Sequence, residues 1–172
     1  MSSQTTSAAE ISLSLKRLAV DYAGALRQVL GDSLVSVVLF GSVARGEATP
    51  LSDIDLLVVA EGLPQGRFAR RELLDPAYEA IRPRLDALRK GEIFTDILAL
   101  FKTPAEASGF RPLYLDMTED AVLLFDRDGF FASVLEGVRA SLRRLGSRRL
   151  KRGQIRYWDL KPDYKPGEIF TI

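Results

Sequence analysis

Val37-Val38-Leu39-Phe40-Gly41-Ser42-Val43-Ala44-Arg45-Gly46-Glu47 and, after a short loop, Ser52-Asp53-Ile54-Asp55-Leu56-Leu57-Val58 form the stretch on which the fold turns. Leu34 to Phe40 is apolar except for Ser36, which predicts a strand buried on both faces and central in a sheet. Gly41 ends that strand abruptly, and a short helical turn from Ser42 to Gly46 leads into a loop through Pro50. Asp53 to Ala60 is the second strand, closed by Glu61-Gly62-Leu63-Pro64. About a dozen residues join the two strands, long for a hairpin and short for a crossover containing a full helix.

Working outward, apolar residues recur at helical spacing from Ile11 to Leu30, and Gly31-Asp32 stops that helix. Phe68 to Lys90 reads as a helix that Pro76 and Pro83 kink or split. Ile93 to Phe101 is a third strand. Thr103-Pro104-Ala105-Glu106 has the form of a capping box opening a short helix. Ala121 to Phe125 is a fourth strand, and Phe130 to Leu145 is a helix with Phe131, Leu135, Val138 and Leu142 on one stripe. Tyr157 to Ile172 reads as irregular. The expected organisation is a disordered tail at 1–7, a core at 8–126, and a helical segment with an irregular tail at 127–172. The fold class is α+β, a mixed sheet with helices packed on one face.

Composition narrows the chemistry. The 172 residues carry 24 Lys and Arg against 23 Asp and Glu, a net charge of +1, so no global field selects a partner. Neither Cys nor His occurs. Thiol catalysis, disulfides, imidazole bases and the usual zinc ligands are therefore excluded, and a reducing cytoplasm suits the chain. No signal peptide and no membrane-spanning run is visible, so cytoplasmic localisation without a membrane partner is expected.

Catalysis must then run on carboxylates, hydroxyls, Lys, Arg or bound metal. Gly41 allows close approach of the backbone to a ligand, and Ser42 at a helix start adds a hydroxyl to free N–H groups, a phosphate site or a plain N-cap turn. The Walker A pattern fails because Glu47-Ala48 stand where Lys-Ser/Thr is needed, and the dinucleotide fingerprint fails on its glycine spacing. Asp53 and Asp55, two apart on a strand, project to one face about 6.8 Å apart at the backbone. At that separation they either face solvent or share a divalent cation, and Mg²⁺ accepts carboxylates and substrate phosphates together. If two ions are held, Asp96 is the best third carboxylate, read as mid-strand or as an edge acid, with Glu92 behind it.

Gly41-Ser42-x-x-Arg45-Gly46, the loop, Ser52-Asp53-x-Asp55 and a later Asp96 resemble the pattern of the nucleotidyltransferase superfamily that includes DNA polymerase β, and within it the minimal nucleotidyltransferases. The direct motif covers residues 37–58, and the element order extends the likeness to about residue 101. The resemblance implies a polymerase β-like fold and a Mg²⁺-dependent enzyme, with two ions and ATP or another NTP as substrate. Asp53, Asp55 and Asp96 would be the metal-binding and catalytic residues, and Gly41, Ser42, Arg45 and Ser52 would bind nucleotide. Arg45 would pair either with phosphate or with an acid such as Glu47. Minimal nucleotidyltransferases often look like antitoxins that adenylylate a HEPN-type (helical ribonuclease) partner, so a protein tyrosine is the first acceptor to consider. Other readings are a non-catalytic module of the same fold that binds a partner, and an antibiotic- or RNA-directed transferase.

Arg139, Arg143, Arg144, Arg148, Arg149, Lys151, Arg152 and Arg156 crowd a stretch with no acid. It reads as the solvated basic face of a helix or as an RNA surface, the latter with little aromatic support before Tyr157.

Overall fold

Apolar continuity in two strands and amphipathic spacing in the flanking helices organise the chain around a four-stranded sheet. The structure, a computed structural model, describes residues 7–172 except Gln154. β1 (Leu34–Phe40) and β2 (Ile54–Ala60) are antiparallel neighbours at the centre, with Phe40 opposite Asp55 and Leu39 opposite Leu56. β3 (Ile97–Lys102) runs parallel to β2, and β4 (Val122–Asp126) runs antiparallel to β1, which gives the order β3-β2-β1-β4.

α1 (Ala8–Leu30) and α3 (Arg67–Lys90) cover one face of this sheet. Leu15, Leu18, Tyr22 and Leu26 of α1 and Leu74, Ala77, Ile81 and Leu85 of α3 share a core with Val37, Leu39, Ile54, Leu56 and Val58. The other face is covered by α4 (Pro104–Ser108), α5 (Leu113–Asp120) and α6 (Phe130–Leu145). There Tyr114, Met117, Phe131, Leu135 and Leu142 pack on Val35, Val38, Leu57 and Val59. Tyr114 meets Phe131 edge to face at 5.3 Å and satisfies its hydroxyl on the Ala107 carbonyl. The mixed sheet is as expected. The helices, expected on one face, lie on both, because both alternating side-chain sets of β1 and β2 are apolar and each requires a cover.

Four boundaries also differ from expectation. Ser7 is the N-cap of α1 in a capping box with Glu10, while the rest of the expected 1–7 tail lies outside the described residues. α3 runs through Pro76 and Pro83 as one helix. Both prolines sit on its exposed side, where water can take the carbonyls they leave free, and its buried stripe holds it to α1. β3 starts at Ile97 rather than Ile93, because the preceding loop turns through Glu92 at φ 63° and hands the Phe94 N–H to the Pro50 carbonyl. The basic run is not a continued helix. α6 ends at Leu145 on Gly146, and a hairpin follows, β5 (Arg148–Arg152) against β6 (Ile155–Asp159). The irregular tail therefore begins after Asp159 rather than at Tyr157.

Candidate active site

The antiparallel register that sets Phe40 opposite Asp55 delivers the end of β1 to the start of β2. Gly41 follows at φ +74°, a conformation that side chains disfavour. A Cβ there would land on the Asp55 carboxylate, whose Cγ would lie 3.2 Å away. Gly41 thus gives the Asp55 carboxylate its room. α2 (Gly41–Arg45) begins at the same corner, with Phe40 as N-cap and no side chain capping it, so Ser42 is not the N-cap. The first N–H groups of α2 and the Ser42 hydroxyl are available to an anion beside two acids.

Asp55 is half-buried, and its carboxyl is raised above the ordinary range, first by burial and then by the charge of Asp53, with Arg45 opposing. A half-buried carboxylate with a second acid beside it is a donor set suited to a hard divalent cation. Asp53 lies one residue before β2, and its Oδ1 accepts the Asp96 N–H at 3.0 Å. The Ile54 N–H in turn donates to the Asp96 carbonyl at 2.8 Å. Asp96 is therefore tied to the pair by its backbone. Its exposed carboxylate turns elsewhere: Oδ1 accepts the Tyr78 hydroxyl and the Ile97 N–H, each at 2.7 Å. Among the described residues, no three acids are gathered as a metal site. The expected convergence of Asp96 with Asp53 and Asp55 does not occur, because a hydroxyl on α3 and the first amide of β3 take its side chain.

Two further residues assigned to nucleotide have other partners. Ser52 accepts the Thr49 N–H at 2.9 Å and shapes the loop before Asp53. Arg45 donates from Nε to Glu47 at 2.9 Å and lies 3.9 Å from Asp120, the acid alternative of the two considered for it.

Beyond Arg45, the sequence offered no sign of what surrounds Glu47. Arg156 of β6 also binds Glu47, and the two arginines, Arg156 first, hold its carboxyl down at about 2. Arg149 of β5 forms a bidentate pair with Asp120, at 3.0 and 2.6 Å, and Trp158 donates its indole N–H to Asp116 at 3.0 Å. The inner face of the hairpin is thereby fixed to α5 and to the segment following α2. Tyr78, which holds Asp96, was likewise invisible, since it lies on another element with no local spacing to link them. Asp55 and Asp96 open into a cleft of about 1060 Å³ that runs along β3 and the first half of α3.

Comparison with known proteins agrees with this corner. Residues 23–90 match a family model described as a nucleotidyltransferase domain. The chain is 35% identical over 122 residues to "Putative protein adenylyltransferase MJ1305" of Methanocaldococcus jannaschii, a match spanning 69% of this chain and 77% of that protein. Among solved structures it is similar to "a putative nucleotidyltransferase from Sulfolobus solfataricus", at 22% identity and TM-score 0.45 over 74% of this chain and 95% of the other. A toxin–antitoxin structure with AMP-PNP is similar at 18% identity and TM-score 0.45, over 74% and 92%. The matched segment contains Gly41, Ser42, Asp53 and Asp55, and together with the archaeal relative it shows that this chain belongs to the nucleotidyltransferase family, enzymes that transfer a nucleotide to an acceptor.

Proposed function

We propose that the chain transfers AMP from ATP, with Mg²⁺, to a hydroxyl on a partner protein. The observation that carries this reading is the Asp55 carboxylate set against Gly41, at the uncapped start of α2 and beside Asp53. The relative named as a protein adenylyltransferase supports AMP as the group moved and protein as the acceptor. An antitoxin role toward a HEPN-type partner in the cytoplasm is the fuller form of the same reading. Among the described residues no helix is long and apolar enough to cross a membrane.

Asp53 and Asp55 would hold the cation, which on binding would neutralise both the carboxylate pair and the triphosphate. The α2 N–H groups and the Ser42 hydroxyl would donate to phosphate oxygens. The acceptor oxygen bonds to the α-phosphorus, the α–β bridge breaks and pyrophosphate leaves. The proton of the acceptor hydroxyl needs a carboxylate, and Asp96 can take that part once it exchanges its bond to Tyr78. Catalysis of this kind is positioning and charge neutralisation, within reach of a chain without histidine.

A second reading, a module that binds nucleotide and partner without turnover, is favoured by one observation, the turn of Asp96 toward Tyr78. An RNA-directed enzyme has less support, since Arg149 and Arg156 of the basic run are engaged with acids. Incubation with α-labelled ATP, Mg²⁺ and co-purified proteins tests the proposal. Label on a protein with release of pyrophosphate is expected. Nucleotide binding without label transfer, in the partner's presence, would replace it with the second reading.

A further inference from the structure

β3 is an edge strand, hydrogen-bonded only to β2. The Ile54 N–H on the Asp96 carbonyl sets the ladder, so the main-chain groups of Asp96, Leu98 and Leu100 face β2 and those of Ile97, Ala99 and Phe101 face outward. Two of the outward groups are satisfied within the chain. The Ile97 N–H donates to the Asp96 carboxylate, and the Phe101 carbonyl accepts Arg70 at 2.9 Å. The Ile97 carbonyl, both groups of Ala99 and the Phe101 N–H are left on the open edge, without a partner among the described residues. An open edge is ordinarily guarded by charge or by a covering element. This one instead carries Leu98 and Leu100, both exposed, on the face that holds Asp55.

The edge is complementary to itself. When β3 is laid antiparallel on β3 of a second copy about Ala99, the two Ala99 residues exchange both of their hydrogen bonds. Two residues out, the free Phe101 N–H meets the free Ile97 carbonyl of the other copy, once on each side of the twofold axis. The groups left over in those outer pairs are the Ile97 N–H and the Phe101 carbonyl, the same two that Asp96 and Arg70 already satisfy. This register sets Leu98 opposite Leu100 at the non-hydrogen-bonded positions, where Cα atoms come about 4.5 Å apart, so four leucines cover one another. It also sets Lys102 opposite Asp96, an attraction that the symmetry repeats. Acids and bases line the adjoining cleft in equal number, which selects neither sign of occupant and suits a reversed copy of the same surface.

We propose that β3 is the seam of a homodimer, in which two copies of this chain pair antiparallel about Ala99 and join their four-stranded sheets into one of eight strands. The second copy then brings its Lys102 to Asp96, at the end of the cleft onto which Asp55 opens. The inference does not depend on which acceptor the enzyme uses.

Sedimentation equilibrium of the full chain over a range of concentrations measures the association, and Ala99→Pro removes the central outward N–H while sparing the ladder to β2. The native chain is expected to dimerise, with dissociation at least about tenfold easier in Ala99→Pro that keeps its far-ultraviolet dichroism. Cysteine pairing tests the register, because the chain has no cysteine of its own. Chains carrying Leu98→Cys are mixed with chains carrying Leu100→Cys under mild oxidation. The mixture is expected to form a disulfide-linked dimer, while either variant alone, whose thiols would lie two positions out of register, forms little. This second arm decides the matter if Ala99→Pro fails to fold. A native chain that stays monomeric would overturn the inference and leave the edge to a different protein. A dimer that folded Ala99→Pro retains in full, or cross-linking of the mixture no faster than of each variant alone, would overturn it as well.

Discussion

At the scale of single residues, the most informative substitution is Gly41→Ala. The added methyl meets the Asp55 carboxylate, and φ +74° costs a side chain about 1–2 kcal/mol before any collision. Label transfer should fall by at least two orders of magnitude, with a modest drop in melting temperature; transfer within threefold of native would remove Asp55 from the site. Asp53→Ala combined with Asp55→Ala should abolish transfer without unfolding the chain, because it relieves a repulsion. The raised carboxyl of Asp55 gives that statement a pH sign. A carboxyl raised in the folded state makes folding most favourable below the ordinary Asp range, and that contribution fades as pH climbs through the raised value. Asp55→Asn should therefore melt higher than native at neutral pH, with the gap closing under acid conditions. Tyr78 is the fourth residue to change. Tyr78→Phe frees Asp96 from one of its two bonds and should lower the Mg²⁺ concentration for half-maximal transfer. An unchanged Mg²⁺ dependence would leave Asp96 outside the metal chemistry.

At the scale of elements, legibility follows what each element packs against. β1, β2 and α6 bury apolar side chains, so periodicity alone exposes them. Asp53 and Asp55 stood out by their two-residue spacing, and the structure puts Asp53 one residue ahead of β2, near enough for its charge to act on Asp55. Asp96 was legible as an acid of the third strand, read as mid-strand although β3 begins only at Ile97, but its direction depends on Tyr78, which another helix supplies. The two helix prolines misled for the opposite reason: their cost is local, and the stripe that offsets it is tertiary. The β5–β6 hairpin was hidden because its inner face sets arginines against acids, while Trp158 both donates to Asp116 and packs at the border of an apolar core. Its alternation is real, yet Arg149 and Lys151 look no different in sequence from Arg148 and Arg152.

At the scale of the whole molecule, the hairpin and the core differ in what holds them, and acid should separate them. The sheet is sustained by two apolar cores that no proton reaches. The hairpin depends on Glu47, Asp116 and Asp120, and two of these have depressed carboxyls. Glu47 is held at about 2 by Arg156 and then Arg45, and Asp120 is lowered first by Arg149. A carboxyl depressed on folding contributes stability above its unfolded value and loses it as pH falls toward the folded one. The window for Glu47 thus runs from roughly pH 4.5 down to about 2. The single tryptophan, Trp158, lies on β6 with its indole bonded to Asp116, so its fluorescence reports this attachment. Acid titration should shift Trp158 emission within that window while far-ultraviolet dichroism still shows the sheet and helices. Arg156→Ala should produce part of the same shift at neutral pH, and 1 M salt should weaken the native attachment, since these pairs are substantially exposed. Coincident loss of Trp158 signal and dichroism at every pH would mean that the hairpin belongs to the same cooperative unit as the sheet, and that its arginines stabilise the corner carrying Glu47 as much as that corner anchors them.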